Sequence, residues 1–173
     1  MKNKKALIII IITSVIIITL LYTLNNNKPI DEFNENTNLP FALGLPNTSI
    51  VRDEEFQIPG GSYGGFQLVK DDLKIWVSGW PDILDEYHVT SYEFTSDKYS
   101  IFGFTNGDYL DNAISTLKKH GYRIDMIPEQ SSVQRYIFSN RGVIFINITV
   151  NPENEIIRIF VGLETTNKSG AVF

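Results

Sequence analysis

The chain of 173 residues contains no cysteine. This absence excludes disulfide bonds, cysteine nucleophiles, Cys-ligated zinc, iron–sulfur clusters and a lipoprotein anchor on a modified cysteine. The sequence also lacks the motifs of P-loop proteins, zinc proteases, EF-hands and α/β-hydrolases. Hydrophobic residues make up 43% of the chain and charged residues 20%, so neither a fibre nor a wholly disordered protein is expected.

Histidine is scarce as well, and His88 and His120 are the two in the chain. Asp85-x-x-His88 is the one close pairing with a tolerable metal-ligand spacing, but residues three apart on an extended strand point to opposite faces. His120 closes a predicted helix, where the helix dipole favours positive charge. We therefore expect no metal and no cofactor, with His88 partly buried and hydrogen-bonded.

Charge is missing from one long stretch near the start of the chain. Residues 6–24 are dominated by Ile, Leu and Val, and a helix of this length covers roughly 28 Å, close to the bilayer hydrocarbon thickness of about 30 Å. The alternative is a cleaved signal peptide, whose apolar run is usually about 7 to 15 residues long and ends in small residues. This run ends in Tyr22-Thr23-Leu24, so we expect an uncleaved transmembrane anchor at 6–24.

The distribution of lysine predicts the orientation of that anchor. Lys2, Lys4 and Lys5 precede it, which places residues 1–5 in the cytoplasm and the rest of a single-pass protein outside the cell membrane. Beyond the anchor, twelve basic residues face twenty acidic ones, a net charge of −8. Such a surface repels phosphates, so no nucleic-acid partner is expected. The Ile-, Asn- and Lys-rich composition favours a bacterium with an AT-rich genome.

The part outside the membrane divides by composition. Residues 25–38 are polar and rich in Asn, which predicts a flexible tether. Residues 39–164 form the predicted folded domain, and 165–173 form a tail. The domain contains two related halves, 39–98 and 99–164, because four motifs recur in the same order. The matched segments are 43–47 with 102–106, 66–68 and 73–76 with 136–138 and 143–146, 80–82 with 151–153, and 90–94 with 159–163.

A helix is predicted over Asp108 to Lys119, where Leu110, Ala113, Ile114 and Leu117 form one apolar stripe of period 3.6. Thr105 and Asp108 have the spacing of a capping box, and Gly121 is placed as the C-cap. The corresponding part of the first half carries Pro59 and four glycines, which break any long helix. The first half is therefore predicted to be an eroded copy.

Strands are predicted at Ser100–Phe104, Tyr122–Ile127, Gln134–Phe138, Val143–Val150 and Glu155–Leu163. In Val143–Val150 one face consists of Ile and Val alone, so this strand is expected inside the sheet. The predicted fold class is α+β, an antiparallel β-meander with a helix packed on one face, arranged as two pseudo-repeats and preceded by one transmembrane helix.

Aromatic residues gather around the glycine-rich loop 59–65, which lacks the Lys-Ser/Thr pair and helix that phosphate binding requires. Trp76 is predicted on the strand face opposite Leu73, Ile75 and Val77, and Trp80 precedes a proline at a turn. Tryptophan at such positions buries a large area at low entropy cost. We predict partner-binding residues from this group, and the alternative is that they complete the core of the eroded half. The predicted binding residues are Tyr63, Trp76 and Trp80.

The order of strand, helix after Phe102-Gly103-Phe104-Thr105-Asn106-Gly107-Asp108, then Lys118-Lys119-His120-Gly121-Tyr122 and antiparallel strands resembles one unit of the tandem folds of beta-lactamase inhibitor proteins and small outer-membrane lipoproteins. The resemblance covers Tyr99 to Glu164. Those families generally bind other proteins and have no catalytic residues, so the resemblance implies a binding module.

These observations favour a membrane-anchored, extracytoplasmic binding module of a bacterial envelope, with a protein or another envelope component as its partner. One alternative is a small extracytoplasmic hydrolase that uses Asp71, Asp72 or His88. A second alternative is an immunity or inhibitor protein that protects its own cell.

Overall fold

The computed structural model describes residues 11–17, 28–44, 55–59, 61–62, 65–78, 88–126, 134–140 and 143–163. Besides the helical segment 11–17 it contains helix α1 at 28–35 and helix α2 at Leu110–Lys119. The strands are β1 (Gly61–Ser62), β2 (Gly65–Lys70), β3 (Leu73–Ser78), β4 (His88–Phe94), β5 (Arg123–Met126), β6 (Gln134–Asn140), β7 (Ile144–Val150) and β8 (Ile156–Leu163).

The strands form a single antiparallel sheet in the order β1-β2-β3-β4-β8-β7-β6-β5. Strands β2 to β4 and β6 to β8 are two three-stranded meanders, and the last strand of each pairs with the last strand of the other. The pairs at this central seam run from Ser91 opposite Gly162 to Phe94 opposite Ile159. The predicted α+β class with an antiparallel meander is confirmed.

The hydrophobic core lies on one face of the sheet, under α2. Leu110, Ala113 and Leu117 of the helix are buried and belong to the same core cluster as strand residues of both meanders. Strand β7 has neighbours on both sides, and its Ile and Val face is fully buried, as the alternation predicted. The β7 residues of this face are Ile144, Ile146, Ile148 and Val150.

The two ends of α2 differ from each other in how well the sequence predicted them. Gly121 has a φ of +79°, and the amide of Tyr122 donates to the carbonyl of Leu117. This Schellman geometry ends the helix at the predicted glycine, which directly follows the C-cap residue His120. The predicted capping box is wrong. Asp108 accepts a hydrogen bond from the Thr105 amide at 2.8 Å, but the Thr105 hydroxyl turns away, and the helix begins only after them, at Leu110.

The predicted strand over Ser100–Phe104 is also wrong. Phe102 and Gly103 both have positive φ angles, 49° and 84°, which reverse the chain as in the turns that join hairpin strands. The backbone groups of Ile101 and Phe104 consequently bond to each other at 3.0 Å. The alternating Phe residues favoured a strand, but Gly103 permits a chain reversal that orients the Phe102 ring toward α1.

The predicted tether over 25–38 is wrong from residue 28 onward. Helix α1 occupies 28–35, and its Phe33 is fully buried with its ring 6.0 Å from that of Phe102. The Asn34 side chain both donates to the Leu43 carbonyl and accepts from the Leu43 amide, at 3.0 and 2.8 Å. The polar, Asn-rich composition favoured a tether, although the segment contains one aromatic residue, Phe33, that packs in the core. Residues 25–27 lie outside the described residues.

Of the predicted anchor at 6–24, residues 11–17 are described. They are helical, and their five large apolar side chains are each 51 to 56% exposed: Ile11, Ile12, Val15, Ile16 and Ile17. Within the described ranges, no helix combines the length and the hydropathy needed to cross a membrane. The remaining residues of the predicted anchor lie outside those ranges.

Candidate functional site

The face of the sheet opposite the core is formed by residues that alternate with the buried ones along each strand. Strand pairing arranges these outward residues in lateral rows, and two of the rows cross both meanders. The first row runs Gln67, Trp76, Ser91, Gly162, Phe145 and Ser139, each directly opposite the next. The second row runs Val69, Lys74, Glu93, Phe160, Asn147 and Ile137.

Three rings from these rows contact each other across the central seam. The Trp76 and Phe160 ring centroids are 5.6 Å apart with planes tilted by 59°, and Phe145 and Phe160 stack at 5.6 Å and 28°. Each of the three side chains is half-buried. We call Trp76, Phe160 and Phe145 the aromatic row. It joins β3 of the first meander to β7 and β8 of the second.

Small residues at the seam make the aromatic row possible. A Cβ atom at Gly162 would lie 2.7 Å from two ring carbons of Phe145 and 3.3 Å from a ring carbon of Phe160. The rings therefore lie directly over the glycine backbone, an arrangement in which an aromatic side chain shields a strand glycine from water. Ser91, opposite Gly162 on β4, leaves room for Phe160 and Trp76 to meet.

An ion pair and an arginine lie beside the aromatic row. Lys74 and Glu93, which follow one another in the second lateral row, form an ion pair at 2.9 Å. Two residues before Phe160 on β8, the Arg158 side chain donates to the Thr149 hydroxyl at 3.4 Å. The side-chain oxygen of Asn147, next to Phe160, is buried without a hydrogen-bond partner among the described residues. The aromatic row is thus bordered by one ion pair and by the cationic side chain of Arg158.

The structure describes one of the three predicted binding residues. Trp76 lies on the outward face, opposite Leu73, Ile75 and Val77, as the alternation of β3 predicted. Tyr63 and Trp80 lie outside the described residues. Sequence reasoning missed Phe145 and Phe160 as partners of Trp76. Phe145 had a signal, since it alternates with the buried Ile144 and Ile146, but the pairing of β4 with β8 was needed to bring it near Trp76.

The residues considered for hydrolysis do not form one site. Asp71 and Asp72 occupy the turn before β3, whereas His88 lies opposite Ser78 at the other end of that strand. A strand of six residues separates the two ends by roughly 16 Å at about 3.3 Å per residue, and proton transfer needs contact at about 3 Å. Asp85 is not described. In the described ranges, no three His, Asp or Glu side chains are grouped to hold a metal ion.

His120, at the carboxyl end of α2, contacts α1. Its Nδ1 is 2.8 Å from Oε1 of Glu32, and its ring stacks on Phe102 with centroids 4.2 Å apart. The neighbouring Tyr122 is buried, and burial, with a smaller contribution from the Glu32 carboxylate, raises the pKa of its hydroxyl. His120 is the C-cap residue of the helix and immediately precedes Gly121. These contacts give it a structural part in the docking of α1.

No protein-family model and no curated protein matches the chain. Among solved structures, the chain is similar to the 1.5 Å crystal structure of an extracellular protein containing a SCP domain from Bacillus anthracis str. Ames, with a TM-score of 0.48 and 8% sequence identity. The similarity covers 70% of this chain and 44% of that protein, so this chain matches less than half of that protein's length.

Proposed function

We propose that the protein is a membrane-anchored, extracytoplasmic binding module of a bacterial envelope, and that the aromatic row is its binding face. The observation that carries the proposal is the gathering of Trp76, Phe160 and Phe145 on the face of the sheet that does not pack on α2. Aromatic side chains on such a face bind partners with a large buried area and little loss of conformational entropy.

The anchor is supported by the apolar run at 6–24 and by the exposed isoleucines of the helical segment 11–17. Exposure of these apolar side chains to water is unfavourable, and lipid around the helix would bury them. With the lysines of residues 1–5 in the cytoplasm, α1 and the sheet face outward. The implied resemblance of 99–164 to beta-lactamase inhibitor proteins agrees with a binding role and remains a prediction.

We further infer that the two meanders are related halves. Tyr92 and Val161, which the sequence match equates, lie directly opposite each other at the central seam, as a two-fold arrangement requires. The register refines the match by one residue. Leu68 pairs with Ile75 and Phe138 with Ile146, so the turn of the second hairpin is one residue longer than that of the first.

The topology is tested with single cysteines, because the chain has none of its own. We expect Asn112→Cys, an exposed position of α2, to react with a membrane-impermeant maleimide in intact cells. Lys2→Cys should react only after the cells are permeabilised. Protein found in the culture medium with a shortened amino terminus, or labelling of Lys2→Cys in intact cells, contradicts the anchor.

The binding face is tested by retention of the full chain, in nanodiscs, on an envelope fraction of the producing cells. We expect Trp76→Ala to lose retention and Tyr109→Ala, which removes a ring that is 57% exposed and outside the aromatic row, to keep it. Circular dichroism confirms that both variants are folded. Equal retention of the wild type and Trp76→Ala contradicts the assignment of this face.

A further inference from the structure

We propose that Asn106 is a site of spontaneous deamidation that the native fold closes and that unfolding opens. This inference is independent of the proposed function. Asn106-Gly107 is the single Asn-Gly pair in the chain. Asparagine is chemically labile, and a following glycine favours attack on its side chain because glycine has no Cβ atom and a permissive backbone.

The reaction uses water as its one co-reactant. The backbone nitrogen of Gly107 loses its proton to solvent base and attacks the side-chain carbonyl carbon of Asn106. A new C–N bond closes a succinimide ring, and the side-chain nitrogen leaves as ammonia. Water then opens the ring at either of its carbonyls. The product at position 106 is aspartate or isoaspartate, and either product adds a negative charge.

The fold uses each residue of the pair for a structural reason. Gly107 has a φ of +91°, in the left-handed region that favours glycine. The Asn106 side chain is 7% exposed, and its Nδ2 donates to the carbonyls of Phe94 and Ser96 at 3.2 and 3.1 Å. The pair therefore joins the segment before α2 to the end of the central strand β4.

The same contacts close the site in the folded chain. The Gly107 amide donates to the Ile156 carbonyl at 2.8 Å, and the Ile156 amide donates to the Asp108 carbonyl at 2.8 Å. The attacking nitrogen is thus held in a hydrogen bond to β8. The leaving amide of Asn106 donates to two carbonyls and is largely removed from water. Attack requires these hydrogen bonds to break together, so the reaction needs an opened chain.

Deamidation would also oppose the return to the native state. An ionised carboxylate accepts hydrogen bonds and cannot donate them, so the Phe94 and Ser96 carbonyls would lose their donor and face a negative charge. A charge buried without a partner is strongly unfavourable. Isoaspartate in addition inserts an extra carbon atom into the main chain beside the Gly107–Ile156 hydrogen bond. A chain that has unfolded and reacted is therefore marked and kept out of the native fold.

Peptide mass spectrometry of the full chain in mild-detergent micelles tests the site. The chain is incubated in mildly alkaline buffer with and without urea, and the rate of deamidation at Asn106 is measured. We expect this rate to be at least tenfold higher in urea. Gly107→Ala should lower the rate in urea at least tenfold, because both chains are unfolded there and attack by residue 107 is hindered. Equal rates with and without urea, or no deamidation of Asn106 in urea, overturn the proposal.

Asn106→Asp tests whether the modification opposes folding, and Asn106→Ala is the matched control. At neutral pH we expect Asn106→Asp to lower the urea midpoint more than Asn106→Ala, since it alone buries a charge. The difference between the two variants should shrink in acid, where the new carboxyl is protonated and can donate a hydrogen bond again. If Asn106→Asp is unfolded at neutral pH, circular dichroism should show that acid restores its fold. An Asn106→Asp chain as stable as the wild type at neutral pH contradicts the proposed effect on folding.

Discussion

Gly162 occupies the position where the two meanders meet under the rings of Phe145 and Phe160. We predict that Gly162→Ala displaces the Phe145 ring, because the new Cβ atom would lie 2.7 Å from two of its carbons. The clashing atoms are the far end of a half-buried side chain, so the ring can move and the change in stability should stay within about 1 kcal/mol. Urea unfolding measures the change in stability, and the ring-current shift of the residue 162 α-proton reports the ring position.

Ser91→Ala is the matched control for this change, since Ser91 lies directly opposite Gly162 on β4 and already has a Cβ atom. It should leave the ring-current shift of Gly162 in place. A Gly162→Ala protein with unchanged stability and an undisplaced Phe145 ring would show that the seam tolerates a larger residue. In that case the close contact between rings and backbone does not shape the aromatic row.

Two buried tyrosines make stability depend on alkaline pH. Burial raises the pKa of Tyr92 and of Tyr122, and the Tyr92 hydroxyl donates to the Phe41 carbonyl at 2.6 Å. Above the ordinary tyrosine pKa of about 10, the unfolded chain releases protons that the folded chain retains. The unfolded state then binds fewer protons, so the free energy of unfolding falls as pH rises above about 10.

We predict that Tyr92→Phe makes the free energy of unfolding fall less steeply between about pH 10 and 12. The substitution removes one of the two tyrosine hydroxyl protons that the folded chain retains. At pH 7 the same substitution should cost about 1 kcal/mol, since the Phe41 carbonyl loses its partner. Urea unfolding at a series of pH values measures both effects. A slope identical to that of the wild type would mean that Tyr92 ionises in the folded state as readily as in the unfolded chain.

At the scale of elements, α1 is the largest revision of the sequence interpretation, and its attachment depends on Phe33. We predict that Phe33→Ala in the full chain lowers the free energy of unfolding by about 3 to 5 kcal/mol, the usual cost of emptying a buried phenylalanine site. Hydrogen exchange of the α1 amides should accelerate at the same time. Chemical denaturation and exchange mass spectrometry measure the two effects.

Glu35→Ala on the exposed side of α1 is the control and should change stability little. Glu32→Gln tests the polar contact alone. Because the Glu32 and His120 side chains are 37% and 29% exposed, their contact contributes at most about 1 kcal/mol to stability. A greater loss for Glu32→Gln than for Phe33→Ala would mean that α1 is held by this polar contact rather than by the core.

Elements with strong periodicity were predictable, and elements defined by their neighbours were not. The stripe of α2 and the alternation of β7 depend on burial of one face, so the sequence alone indicated both. The turn at Phe102–Gly103 and the docking of Phe33 depend on each other, since the reversed chain brings the Phe102 ring against Phe33. The aromatic row required the β4–β8 pairing, which no local pattern encodes.

At the scale of the whole molecule, α1 packs on the core of the folded domain and follows closely on the segment proposed as a membrane anchor. One core cluster includes Phe33, strand residues of both meanders and α2. If the proposed span ends at Leu24, three residues separate it from α1, and three residues reach at most about 11 Å. The domain is then held close to the membrane surface by a short connection rather than displaced from it by a flexible tether.

The length of α2 predicts how far different parts of the domain lie from the membrane surface. Helix α2 contacts α1 at its carboxyl end through His120, and at its amino end Tyr109 bridges to Glu155 in the β7–β8 turn. Ten helical residues separate these ends by about 15 Å. In nanodiscs, headgroup nitroxides should therefore quench a fluorophore on Lys28→Cys more strongly than a fluorophore on Glu153→Cys. Adding Phe33→Ala should reduce the difference in quenching between the two positions. Equal quenching at both positions, or stronger quenching at residue 153, would mean that the domain is not held at the membrane through α1.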